Sequence, residues 1–394
     1  MNTQYIKQIL IQHATIYLEE RVLEEASILL EEGIITGIWE KEIPEVSDST
    51  TVIDASNLHV IPGFIDAHIH GANGFDVMDA TEEALEAISA FLPNEGVTSF
   101  LATTITQSPE NIEKALMNAA AYRCKSHHAE LLGVHLEGPF INKRKAGAQP
   151  EQYIEKPNLE LFQRWQNIAK GKIKTITMAP ELDQDGSFIY ALVNDSVNVS
   201  AGHTDASFLE MKSAVSLGVR QLTHLCNAMN GIHHRDIGAV GAAFLISELQ
   251  TEIIADGIHV SDDMLQIIYN NVGSDRIILI TDAMRAKGLS PGNYDLGGQN
   301  VRVMDNRAVL EDGTLAGSIV NMRDAANRML GLEGVTMRDI IKMTSTNVAK
   351  QLSIDDRKGI VAVGKDADLL LVDKNLNLHY TICRGQIAYI KEGL

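Results

Sequence analysis

Leu58-His59-Val60-Ile61-Pro62-Gly63-Phe64-Ile65-Asp66-Ala67-His68-Ile69-His70-Gly71 is an apolar run that ends on two histidines separated by one residue. In an extended strand residues i and i+2 share a face, so His68 and His70 present two imidazoles to one point, as a metal site needs. The pair alone is a weak signal. The chain repeats the arrangement, however: Glu137, His203, His224 and Asp282 each stand near the end of a further apolar, strand-like run. Ligands gathered from several strand ends point to a metal-dependent hydrolase.

Outward from this segment the central 300 or so residues alternate short apolar strands with helical patterns such as 82–92, 110–122, 208–217 and 262–269. Such alternation predicts parallel βαβ units, and its length suits a (β/α)8 TIM-like barrel. The candidate barrel strands are 60–67, 99–103, 130–137, 173–179, 197–201, 221–224, 252–255 and 276–281. Their carboxyl ends carry the polar candidates, which is where a barrel builds its active site. The competing architecture is an open doubly wound sheet, but no Gly-x-Gly-x-x-Gly follows the first strand and no Gly-x-x-x-x-Gly-Lys-Ser/Thr occurs. Both chain ends read differently, as short strands at 5–11, 14–18, 27–31, 34–39, 368–372 and 386–390 punctuated by Glu32-Gly33 and Gly37. A small β-sandwich domain of residues 1–57 with 357–394, flanking a catalytic barrel of 58–356, is therefore expected.

Composition narrows the function. The 33 basic and 52 acidic residues give a net charge of −19, which disfavours nucleic acid and anionic membranes as partners. No basic region followed by an apolar stretch opens the chain, and no run of about 18 apolar residues occurs, so a cytoplasmic location is expected. Cys124, Cys226 and Cys383 are odd in number and lack CxxC spacing, as suits a reducing compartment.

Each candidate has a plain structural reading beside the functional one. His68 and His70 can be satisfied polar residues at a strand end, but their shared face beside Gly71 favours ligation. In Gly133-Val134-His135-Leu136-Glu137-Gly138-Pro139, His135 and Glu137 face one way, and a carboxylate aimed at a barrel centre is costly unless a cation or donors meet it. His135 reads as a packed or supporting histidine rather than a ligand. His203 and His224 are undiagnostic singly; with Glu137 they supply two imidazoles and a carboxylate, leaving a position for water on a divalent metal. His68 and His70 then hold a second ion, with Glu137 bridging. Asp282 is the best general acid/base, with a metal ligand or a helix cap as its other readings.

The segments Pro62 to Gly71, His135-Leu136-Glu137-Gly138-Pro139-Phe140, Ala201-Gly202-His203-Thr204-Asp205-Ala206, His224-Leu225-Cys226-Asn227-Ala228-Met229 and Ile280-Thr281-Asp282-Ala283-Met284 resemble the N-acetylglucosamine-6-phosphate deacetylases of the amidohydrolase superfamily. Ile254-Ala255-Asp256-Gly257-Ile258-His259-Val260 and Leu315-Ala316-Gly317-Ser318 extend the likeness over nearly the whole chain. The resemblance implies removal of the acetyl group from N-acetylglucosamine 6-phosphate, with Glu137, His203 and His224 on the principal metal and Asp282 as acid/base. It further implies that Gln149, Asn227, the backbone at Ala228, Arg235 and Leu315 receive the sugar phosphate, and that His259 reaches it from the partner in a homodimer. Gln149 stands where many relatives carry histidine; it can donate a hydrogen bond but holds no imidazolium charge. His68-x-His70, which some members lack, implies room for two metals; zinc or iron is expected, with manganese or cobalt as alternatives. An amidohydrolase acting on a cyclic amide, an N-acyl amino acid or an amino-purine would share the metal groups but need no phosphate site.

Overall fold

The computed structural model describes residues 6–393, so the start of the strand expected at 5–11 lies outside the described residues at Tyr5. Eight parallel strands form the barrel in chain order: Phe64–Ile69, Val97–Thr104, Glu130–Glu137, Ile173–Met178, Asn198–Ala201, Gln221–Leu222, Gln250–Ile254 and Ile277–Ile280. The sheet closes past its last strand. Ile69 bridges Ala283 in parallel register, the Asp282 N–H donates to the His68 carbonyl at 2.8 Å, and the Thr281 hydroxyl donates to the buried Asp66 at 2.6 Å. The (β/α)8 architecture is thus the one its sequence pattern predicts, and the helices Glu82–Phe91, Pro109–Ala121, Phe208–Leu217 and Asp262–Val272 fall on the periodic segments.

The first barrel strand is shorter than its apolar run. His59–Pro62 pairs with Leu369–Val372 in the terminal sheet, and the barrel strand starts only at Phe64. Gly63 stands at the handover, and only glycine fits there because a Cβ would lie 2.1 Å from the Thr98 hydroxyl. We propose the boundary between the two units at Gly63 rather than at residue 58.

Residues from both termini build one mixed sheet in the order Gln386–Ile390, Leu378–Cys383, Leu369–Val372, His59–Pro62, Gln8–Tyr17, Val22–Glu31, Ile34–Glu40, with Thr51–Asp54 also on Gln8–Tyr17. This is the small β-sandwich unit, and its own apolar cluster joins Ile9, Ile11, Ile28 and Leu30 to Val60, Leu369, Leu371 and Ile382. The two strands expected before residue 18 are one, Gln8–Tyr17, whose pairing slips between Ile11 and Ala14, where His13 takes φ 60°. Buried Lys358 joins the units by pairing with Glu130 at 2.8 Å, Asp366 at 2.9 Å and Asp368. A further antiparallel sheet, Gly292–Leu296, Gln299–Met304 and Arg307–Val309, follows the last barrel strand and packs Leu296, Val301 and Ala308 against Ile105 and Met284. It was not expected from the sequence, and it brings Leu296 to the barrel mouth.

Candidate active site

All six candidate side chains meet at the carboxyl end of the barrel. His68 lies in the first strand and His70 just past it, Glu137 ends the third, and His203, His224 and Asp282 follow the fifth, sixth and eighth. The turns that carry the last three are strained. His203, His224 and Asp282 have φ of 48°, 31° and 47°, and Cys226 and Ala228 have 80° and 50°. Left-handed backbone costs a residue with a Cβ about 1–2 kcal/mol, so five such positions in one place mark a geometry held for what it presents. Backbone bonds hold it: besides the bond from Asp282 to His68, the Ser318 N–H donates to the Asp282 carbonyl at 2.7 Å.

Glu137 Oε1 lies 3.3 Å from His203 Nε2 and 3.2 Å from His224 Nε2, and these two nitrogens are 3.2 Å apart. His203 Nδ1 sits 2.8 Å from the Lys145 carbonyl, which only accepts, so Nδ1 is the donor and the ring presents its Nε2 to a carboxylate oxygen. Imidazole nitrogens and a carboxylate oxygen converging at about 3 Å in a buried site are what a cation requires. His70 Nε2 stands 3.2 Å from both Glu137 Oε2 and Asp282 Oδ1, and His68 Nε2 stands 3.5 Å from Glu137 Oε1 and 3.4 Å from Asp282 Oδ1. Two ligand sets therefore adjoin, Glu137/His203/His224 and His68/His70/Asp282, with Glu137 between them. This buried cluster of histidines and carboxylates can chelate a divalent metal. The partly buried trio Glu130, Asp366 and Asp368 cannot, because Lys358 fills it.

The electrostatics agree. Burial opposes protonation of His70, but the Asp282 and Glu137 carboxylates outweigh it and hold its pKa at about 9; His68 is raised well above its ordinary value by the same two groups. Burial likewise opposes ionisation of Asp282, yet His68 and His70 hold its carboxyl down at about 2. The imidazole protons here stand where a cation would.

A cleft of about 330 Å³ opens above these groups, lined by His70, Glu137, His203, His224 and Asp282 together with Gln149, Asn227, Ala228, His259 and Leu315. His68 is fully buried beneath it. Gln149 is committed to the centre: its carbonyl accepts from the Thr106 N–H at 2.8 Å, so its amide donates to Glu137 Oε2 at 2.8 Å. His259 lines the cleft of its own chain, held by Asp256 at 2.7 Å. Arg235 is exposed, pairs with His234 at 2.7 Å, and is not among the lining residues. His135 lies deeper, bonded to the Thr177 hydroxyl at 2.7 Å and ring-to-ring on His68 at 4.5 Å. Burial pushes the Cys226 thiol up to about 11, which removes it as a nucleophile. Sequence reasoning missed Arg144 and Lys145 on the cleft rim; the signal was Lys143-Arg144-Lys145, a run of cations shortly after the Glu137 motif in a strongly acidic chain.

The profile of the amidohydrolase family matches residues 59–388. Over 358 residues, 90% of this chain and 88% of the relative, the sequence is 47% identical to N-acetylglucosamine-6-phosphate deacetylase of Bacillus subtilis (strain 168). It is also 33% identical to N-acetylgalactosamine-6-phosphate deacetylase of Escherichia coli O157:H7, over 88% of this chain and 91% of that one. The crystal structure of N-acetylglucosamine-6-phosphate deacetylase from Thermotoga maritima superposes with a TM-score of 0.87 at 34% identity, covering 97% of this chain and 100% of the other. With a barrel closed around adjoining sets of histidine and carboxylate ligands, the chain belongs to the amidohydrolase superfamily and, within it, to the N-acetylglucosamine-6-phosphate deacetylase family.

Proposed function

We propose that the protein hydrolyses N-acetylglucosamine 6-phosphate to glucosamine 6-phosphate and acetate. The observation that carries this reading is Glu137 facing two imidazole nitrogens at the floor of a cleft whose rim bears Lys145, Arg144 and His259. Glu137, His203 and His224 would hold the principal metal, and His68, His70 and Asp282, with Glu137 shared, a second. Zinc or iron suits these donors, with manganese or cobalt as alternatives. A divalent cation there supplies an acidified water and Lewis-acid polarisation of a carbonyl oxygen. Asp282 takes the proton as the water oxygen bonds to the acetamide carbon, then returns it to the sugar nitrogen as the C–N bond breaks. Gln149 holds the rotamer of Glu137 at the cleft wall. Asn227, the backbone at Ala228, Leu315 and His259 position the substrate, and the phosphate supplies remote binding energy that sets the acetamide over the metal groups. Acetate release from this sugar phosphate, measured against N-acetylgalactosamine 6-phosphate and with metal analysis on the same sample, tests the reading. Faster release from the galacto epimer would shift the assignment to that sugar; release from neither would overturn it.

The homodimer belongs to this proposal, with the residues' roles revised. His259 lines its own cleft, which supports a role for it within its own chain, and exposed Arg235 is assigned in this reading as the group offered to the partner's phosphate. Mixing inactive Asp282→Asn chains with Arg235→Ala chains should then restore about a quarter of wild-type activity, since half the dimers are hybrid and each holds one complete site. The same mixture made with His259→Ala should stay inactive. No helix among the described residues is long and apolar enough to cross a membrane, and unpaired Cys124, Cys226 and Cys383 support a cytoplasmic location.

A further inference from the structure

Glu252 lies in the seventh barrel strand, is fully buried, and reaches His68 on the first strand, which is not its neighbour in the sheet; its carboxylate therefore occupies the barrel interior. Its Oε2 is 3.1 Å from His68 Nδ1 and 3.4 Å from the His224 N–H, and its Oε1 accepts from Gln221 Nε2. A carboxylate without donors is costly in such a place, and these three meet it. The arrangement does more than satisfy Glu252. An ionised carboxylate only accepts, so His68 donates from Nδ1, and the Nε2 it leaves for the site is buried with no hydrogen-bond partner. That oxygen also touches the backbone of His224, which belongs to the other ligand set.

We propose that Glu252 is a positioning residue for the metal centre: it fixes the ring orientation and tautomer of His68, and so acts on the ion that His68, His70 and Asp282 would hold. Outer carboxylates on ligating histidines set metal affinity by about 10–100-fold. The proposal rests on His68 being a ligand, and the test separates the two. Glu252→Gln keeps the size of the side chain, but its amide must turn an N–H toward either Gln221 or His68. Metal content is titrated against a graded chelator in the wild type, Glu252→Gln, His68→Asn and the double variant, with melting temperatures recorded. The expected result is that Glu252→Gln weakens one ion about 10–100-fold and leaves the other and the KM for the sugar phosphate unchanged. The double variant should hold metal no worse than His68→Asn alone, because Glu252 acts through His68. Wild-type affinity for both ions in Glu252→Gln overturns the proposal, as does an equal loss of both with a lowered melting temperature. If His68→Asn keeps both ions, the ligand reading fails first and the proposal with it. Should Glu252→Gln not fold, Gln221→Met releases Oε1 and reads the same quantity: one ion weakened supports the link, and no change overturns it.

Discussion

Prolonged chelation takes turnover to background, and a divalent transition metal added back restores it. The expectation follows from donors that satisfy one another poorly without a cation: Glu137 Oε1 and two imidazole Nε2 atoms lie within 3.3 Å, and the Lys145 carbonyl already takes the His203 Nδ1 proton. Rebinding should be strongly pH-dependent. His70, raised to about 9, and His68, raised well above its usual range, must give up protons to ligate. Each displaced proton costs roughly tenfold in apparent affinity per pH unit below its pKa, so reconstitution should be far tighter at alkaline than at acid pH. Stability of the chelated protein runs the opposite way. The raised pKa of His70 contributes stability that is complete below the ordinary histidine value of 6.5 and is lost as pH rises through about 9. The melting temperature of chelated protein should therefore fall across that window, and bound metal should suppress the trend. Full turnover by protein shown to be metal-free would sink the mechanism, and a ratio fixed at one ion per chain in excess metal would remove the second site.

Much of this centre was legible in the sequence because it depends on local rules. The i, i+2 spacing of His68 and His70, and carboxylates or histidines after apolar runs, are consequences of strand geometry that no later packing reverses. What stayed hidden depends on pairing between distant segments. The run from residue 58 to 71 shows no break in hydropathy, and only the sheet register assigns its first half to the terminal sheet and its second half to the barrel. Glu252 reads as an isolated acid in an apolar strand until His68, 184 positions away, is seen beside it. Gln149 reads only as a substrate donor in the sequence, whereas in the fold it also has the Thr106 N–H on its carbonyl and Glu137 on its amide while lining the cleft. Arg235, brought to the site by resemblance, lies exposed on a loop beside His234 and outside the cleft of its own chain, a placement no local rule foretells.

Asp282→Asn should lower kcat by about 10²–10⁴-fold, the range for a lost general acid/base, while leaving the fold and KM nearly unchanged. Asparagine is the residue best suited to this position after glycine, because φ there is 47° and asparagine tolerates left-handed backbone. The two backbone bonds that hold the turn, from Asp282 to His68 and from Ser318 to Asp282, do not involve the side chain. An amide oxygen can still face His70 and His68, so metal at that half of the centre weakens without being lost, and the ion on Glu137, His203 and His224 should stay bound. What the amide cannot do is accept a proton, and the side chain of Asp282, 12% exposed in the cleft, is the carboxylate placed to receive one from an attacking water. His135 cannot take over: burial, with the neighbouring His68, pushes its pKa well below the ordinary range, and its Nε2 is bonded to Thr177 beneath the centre. A near-normal kcat in Asp282→Asn would therefore move the proton to His259, which lines the cleft and has Asp256 bonded to its Nδ1.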